Sequence, residues 1–293
     1  MNHLTHVPQQ KQVFLQQLVT DLRQIPQITA VVLGGSYANK THHGTSDLDI
    51  GLYYHEADPF PIAAVRQIAG KVSVKGRPVV TDFYEWGAWV NGGAWIETAV
   101  GKVDFLYRNL DQIEQTIEDA QQGIVQHDYD QQPTHGFYSV IYLAETQICI
   151  PLYDPGNHIF RLKHRVASYP PALKTKIIND SLWSAEFTLQ FAEHYAALGD
   201  VYNTVGCLSR TAANLTQALF ALNETYFMRD KRVMETVAAF PILPADYVEQ
   251  VTAVLAHPGK AAKKLKQSVM SLKNAWYSIV SLTEEIYQPQ FQA

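Results

Sequence analysis

Ile28-Thr29-Ala30-Val31-Val32-Leu33-Gly34-Gly35-Ser36-Tyr37-Ala38, followed beyond a polar loop by Ser46-Asp47-Leu48-Asp49-Ile50-Gly51-Leu52-Tyr53, carries most of what this 293-residue sequence discloses. The first stretch is a β-branched run of strand length that ends in a glycine pair; the second alternates polar and apolar residues with the period of a strand. On a strand, Asp47 and Asp49 project from one face while Leu48 and Ile50 point into a core. Two neighbouring carboxylates repel each other unless a cation lies between them. Mg²⁺ suits the place, because it takes carboxylate oxygens and completes its shell with water and phosphate. Gly34 and Gly35 let the chain turn sharply at the strand end, and a helix beginning near Ser36 offers its free amides, with the Ser36 hydroxyl, to an anion. Amides for phosphate beside carboxylates for metal describe a nucleoside triphosphate site.

On either side, the first 110 residues alternate between helix and strand. An amphipathic helix from about Gln9 to Gln24 precedes the β-branched run, and a helix from Ile62 to Val72 follows the acidic strand. Val79 to Phe83, Ala94 to Ala99 and Lys102 to Tyr107 read as further strands, the last two joined by a tight turn containing Gly101. From Leu110 onward helical periods dominate, interrupted by one extended piece at Ile150 to Pro155. Long segments at Pro171 to Leu198, Tyr202 to Phe227, Pro244 to His257 and Lys260 to Tyr287 have apolar residues at three and four spacing, with Gly199-Asp200 and His257-Pro258-Gly259 between them. The expected fold is α+β: a mixed sheet with helices over residues 1–156, then an antiparallel helical bundle over 157–293 that binds substrate or partner.

Composition narrows the function classes. Apolar residues make up 47% and charged residues 17%, which suits a folded globular chain. The 23 basic and 28 acidic side chains leave a net charge of -5, so nothing in the charge balance favours a nucleic-acid partner. The first 110 residues are neutral, and the acidic excess lies in the later part. Cys149 and Cys207 stand apart in apolar surroundings, without the spacing of a zinc site or a disulfide framework, and read as buried free thiols. No stretch reaches the length of a membrane span and no targeting signal precedes the first helix, so the expected location is cytoplasmic. A homodimer is compatible with all of this.

Gly35-Ser36 followed by Asp47-Leu48-Asp49 resembles the signature of the nucleotidyltransferase superfamily with the polymerase-β-like fold. The element order is similar to the branch containing aminoglycoside and lincosamide nucleotidyltransferases. There is no GxxxxGK[ST] loop and no GxGxxG, so the other common phosphate-binding motifs are unsupported. The resemblance implies transfer of a nucleoside monophosphate, AMP from ATP foremost, to a hydroxyl of a small molecule such as an aminoglycoside or lincosamide antibiotic. Asp47 and Asp49 would hold two Mg²⁺ ions, with a third carboxylate from a neighbouring strand completing the metal site. Asp104, in Lys102-Val103-Asp104-Phe105, is the candidate. The acceptor would enter between the sheet and the bundle. Relatives that modify a partner protein as antitoxins, and a nucleotide-binding module without turnover, are the alternatives.

A two-residue turn at Val100-Gly101 would set Glu97 directly opposite Asp104 and bring four carboxylates to one face. Either Glu97 or Asp104 would then take the acceptor's proton; aminoglycoside members of the resembled family use a carboxylate beyond the Asp-x-Asp pair. Gly34, Gly35, Ser36 and Ser46 are the nucleotide-binding candidates at the corner, joined by the cations Lys40 and Arg210. Arg210 interests because an arginine within an apolar helix needs a carboxylate or a phosphate. Arg108, Arg161 and Lys163 are further candidates for neutralising triphosphate. Trp86, Trp89 and Trp95, around Gly92-Gly93, fit either a core or the wall of a cleft, whereas Tyr195, Tyr202 and Tyr226 read as bundle core.

Overall fold

Leu48, Ile50 and Leu52 are fully buried and Asp49 is not, which makes the acidic strand the interior strand of a sheet with one polar position. In the computed structural model, which describes residues 4–291, that strand is β2 (Leu48–Tyr54). Before it come α1 (Gln9–Leu22), β1 (Ala30–Leu33) and the single turn α2 (Gly35–Ala38); after it come α3 (Ile62–Val72), β3 (Val79–Val80), β4 (Gly93–Thr98) and β5 (Gly101–Asn109). Then follow α4 (Leu110–Gln121), the short pair β6 (His127–Asp128) and β7 (Phe137–Tyr138), α5 (Val140–Ile148), β8 (Ile150–Tyr153) and α6 (His158–Arg165). The remainder is helical: α7 (Pro171–Leu198), α8 (Val201–Leu222), α9 (Val233–Val237), α10 (Tyr247–Ala256) and α11 (Ala262–Ser281).

Six strands form one mixed sheet in the order β3-β4-β5-β2-β1-β8. Only β2 and β5 run parallel; every other pair is antiparallel. One face of the sheet carries Val31, Leu33, Ile50, Leu52, Phe105 and Tyr107, packed against Leu15, Leu18 and Leu22 of α1 and Val65 and Ala69 of α3. The opposite face carries Asp49 and Asp104 at one end. Toward the other end it is covered by α5, where Arg108 lies beneath the Tyr142 ring and pairs with Glu145. The sheet margins are blunt: β3 has two residues, and β8 contains Pro151 and a register irregularity opposite Val31/Val32.

The chain divides into two compact units, one running to Glu118 with Asp128–Gln132 and Ser139–Ser168, the other comprising Asp119–His127, Pro133–Tyr138 and Tyr169–Ala293. This differs from the expected cut after residue 156. Helix α6 belongs with the sheet because Lys163 on α6 donates to the carbonyls of Thr146, Gln147 and Cys149 at the end of α5. The β6–β7 pair, too short to leave a pattern in the sequence, also breaks up what read as continuous helix.

In the second unit, α7 ends at Gly199, whose positive φ closes the helix, and Asp200 caps α8 by accepting from the Asn203 amide. The Trp276 indole on α11 donates to the Leu182 carbonyl on α7, and buried Glu186 accepts from the Tyr287 hydroxyl and the Phe291 amide. Tyr226 is core as expected, but Tyr202 is 87% exposed. Cys149 is a buried thiol, whereas Cys207 is only partly covered. Among the described residues no helix is long and apolar enough to cross a membrane.

Candidate active site

The glycine corner and the acidic strand are joined by the backbone itself. The Gly34 amide donates to the Asp49 carbonyl at 2.8 Å, which continues the β1–β2 ladder past the end of β1. Gly35 has φ +57, and a Cβ there would lie 1.7 Å from Asp49 Oδ2. The second glycine is therefore required twice over, by its left-handed backbone and by a carboxylate pressed against it. α2 is a single turn of four residues, so the corner offers local amides without an extended helix dipole behind them. Its lone turn is closed by the Ala38 amide on the Gly34 carbonyl and the Thr41 amide on the Ser36 carbonyl.

The loop from Asn39 to Asp47 is fastened from α1. Buried Lys11 donates to the Ser46 carbonyl at 2.8 Å and lies 4.8 Å from the centre of the Tyr37 ring. Ser46 Oγ accepts from the His43 amide, and His42 stacks on Tyr37. Ser46 thus shapes the approach to Asp47, and Lys40 stands exposed on the loop with φ 56. Nothing in the sequence pattern singled out Lys11, since a lysine in an amphipathic helix ordinarily faces solvent.

Asp49 on β2 and Asp104 on β5 are register partners in the parallel pair. Neighbouring strands lie about 4.8 Å apart, so the two carboxyl groups stand side by side on one face. Burial pushes the Asp49 carboxyl up to about 6, with Asp104, Glu145 and Asp47 adding to the rise and Arg108 opposing it. Burial likewise pushes Asp104 up to about 6, reinforced by Asp47 and Glu97 and opposed by Lys102. Each group thus feels Asp47 and has its ionised form disfavoured. Among the described residues no three His, Cys, Asp or Glu side chains converge to enclose a metal by themselves. The carboxylates instead line one face, a donor set that suits a hard cation whose remaining ligands are phosphate and water.

Glu97 does not lie opposite Asp104. The hairpin turns at Ala99-Val100, so Thr98 pairs with Gly101, Glu97 with Lys102, and Trp95 with Asp104. Gly101 takes φ +107, and the Thr98 hydroxyl accepts from the Val100 amide and donates to the Gly101 carbonyl, which fixes this turn in place of one centred on Val100-Gly101. The register moves by two residues, so Glu97 keeps the face of Asp104 but sits two pairs farther along, opposite a lysine.

The expected phosphate cations fare differently. Arg108 is buried and makes a two-point contact with Glu145, at 2.9 and 3.1 Å, so its charge is already used. Lys163 caps α5, and Arg161 donates to the Gly156 carbonyl. Arg210 is exposed on α8, its guanidinium 3.4 Å from Ser184 Oγ, so it does not need the partner that burial would demand. Glu145 is the site-bordering carboxylate that the sequence did not reveal: it lies on an apolar helix, and its closeness to Asp49 depends on how α5 packs across the sheet.

Residues 15–122 match the family model of the nucleotidyltransferase domain. The matched segment holds the glycine corner, Asp47, Asp49 and Asp104, and nucleotidyl transfer is the general activity that it supports. Among solved structures, a nucleotidyltransferase-like protein from Exiguobacterium sibiricum 255-15 is similar over 93% of this chain and 78% of its own, with 8% identity and a TM-score of 0.48. No curated protein matches the chain at a significant level.

Proposed function

We propose that the chain transfers a nucleoside monophosphate, AMP from ATP, to the hydroxyl of a small acceptor and releases pyrophosphate. The observation that carries this reading is the side-by-side pairing of Asp49 and Asp104 with the Gly35 backbone pressed against Asp49. Asp47, Asp49 and Asp104 are the residues that would hold two Mg²⁺ ions. Bound there, the metal would neutralise triphosphate charge and lower the pKa of an oxygen attached to it. Gly35 and Ser36 receive the outer phosphates through their amides and the Ser36 hydroxyl, while the Gly34 amide, held by the Asp49 carbonyl, sets the corner in place.

In the reaction the acceptor oxygen forms a bond to the α-phosphorus, the bond from that phosphorus to the bridging oxygen of pyrophosphate breaks, and the acceptor proton passes to a carboxylate. Glu97 and Asp104 are the two carboxylates considered for that role. Asp104 adjoins Asp49, but a metal held there would pull its pKa back down; Glu97 holds no metal in this reading and pairs with Lys102. An aminoglycoside or lincosamide hydroxyl is the proposed acceptor, and the cytoplasm the proposed location.

The test is incubation of the protein with each labelled triphosphate, Mg²⁺ and a panel of aminoglycosides, lincosamides and cell extract, read by mass spectrometry. A nucleotidylated product and pyrophosphate are expected, both abolished in Asp49→Asn with the fold retained. Label transferred to a single protein would support the partner-modifying alternative. Tight triphosphate binding with no product would leave a binding module, and full turnover by Asp49→Asn would refute the assignment.

A further inference from the structure

One row of residues crosses the carboxylate face of the sheet. Val79 on β3 pairs with Trp95 on β4, Trp95 with Asp104 on β5, and Asp104 with Asp49 on β2; the Gly34 amide meets the Asp49 carbonyl beyond. Residues directly opposite in a sheet share a face, so the row passes from an apolar surface through two carboxylates to the glycine corner. The two ends differ in chemistry. Beyond Gly34 lie the amides of Gly35 and Ser36; the other end is Trp95, 53% exposed, and Val79, 52% exposed.

Trp95 is exposed yet held in place. Its ring stacks on Trp86 with centroids 4.9 Å apart and planes 23° from parallel. Trp86 in turn lies over Gly93, where a Cβ would come within 3.0 Å of the Trp86 ring and 1.9 Å of the Phe105 carbonyl. A stacked indole pair fixed over a glycine and left open on one side is a prepared platform, which loses little freedom when a ligand lands on it. A core tryptophan would be covered, and a solubilising surface position would not carry one.

We propose that Trp95, backed by Trp86, is the acceptor-side wall of the site, and that it takes a sugar ring whose hydroxyl points toward Asp104. The inference rests on the nucleotidyl-transfer reading. The phosphates occupy the Gly34 end, so the acceptor approaches Asp104 from the opposite side, where the next residue in the row is Trp95. A saturated ring has an apolar C–H face for the indole and polar substituents at its rim. Asp104, Glu97 and Lys102 border the platform and meet those substituents with both acceptors and a donor. A flat aromatic acceptor would use the indole but leave the charged rim without partners.

The test is saturation-transfer NMR on the full chain with Mg²⁺ and α,β-methylene-ATP, which cannot be cleaved at its α–β bridge. The probes are methyl β-glucopyranoside, kanamycin A and lincomycin, with tyrosine amide as the aromatic control. At least one sugar probe is expected to bind the wild type, to weaken tenfold or more in Trp95→Ala and to recover in Trp95→Phe, while affinity for the nucleotide analogue stays within twofold in both variants. Equal sugar binding by wild type and Trp95→Ala, absence of sugar binding, binding of tyrosine amide alone, or loss of the nucleotide in Trp95→Ala would each overturn the proposal. Failure of the analogue to bind wild-type protein would instead remove the nucleotidyl-transfer reading beneath it.

Discussion

Gly35 and Asp49 are the two residues on which the site turns, and each makes a distinct prediction. Gly35→Ala would place a methyl within 1.7 Å of Asp49 Oδ2 at φ +57. The carboxylate must move, and the protein should lose about 1–3 kcal/mol together with the metal-dependent triphosphate binding proposed for it, as read by thermal denaturation and calorimetric titration. Asp49 works in the opposite sense for stability. Its folded pKa is raised to about 6, so the stability present at low pH is lost as pH rises from about 4 through 6. In metal-free protein, Asp49→Asn should gain about 1–3 kcal/mol at pH 7.5 and nothing near pH 3.5, as measured by urea unfolding at both pH values. Added Mg²⁺ with ATP should raise the melting temperature of the wild type and leave that of the variant unchanged. The Gly-Gly-Ser corner and both aspartates were legible in the sequence because strand period and turn chemistry are local. Lys11 and Glu145 were not, because each reaches the site through packing between elements distant in sequence.

At the scale of elements, the Arg108–Glu145 pair fixes α5 to the sheet. Arg108 has 8% of its side chain exposed and Glu145 33%, so removal of the carboxylate strands a buried guanidinium. Glu145→Ala should cost about 3 kcal/mol by urea denaturation, and adding Arg108→Met should recover most of it, which separates a buried unpaired charge from simple loss of contacts. The β4–β5 hairpin marks the limit of reading turns from sequence. Thr98 and Gly101 together favour a turn one residue earlier than the glycine alone suggests, and that single step carried Glu97 away from Asp104 and put Trp95 there. Helix extents were easier. Ile62–Val72 and Pro171–Leu198 follow the expected bounds, since long periodic segments end at visible signals such as Gly199.

For the whole molecule, the two compact units predict two unfolding transitions in scanning calorimetry. Mg²⁺ with ATP should raise only the transition of the unit that contains Asp49, because a ligand stabilises what it binds. A single transition that shifts as one would show that the units melt together. The sequence announced the change from sheet to helices, but α6 has a helical period whichever unit it joins, and its ties to the sheet unit, Lys163 on the α5 carbonyls, Arg165 on Glu118 and His158 against His55, are contacts between residues distant in sequence. The blunt sheet margins have a consequence of their own. A proline that cannot donate on one side, and a ladder of only two residues on the other, deny an incoming chain the continuous hydrogen-bonding template on which fibrils grow. Concentrated stocks should therefore resist amyloid-type deposition, and Pro151→Val, which restores the missing donor, is the change most apt to undo that protection.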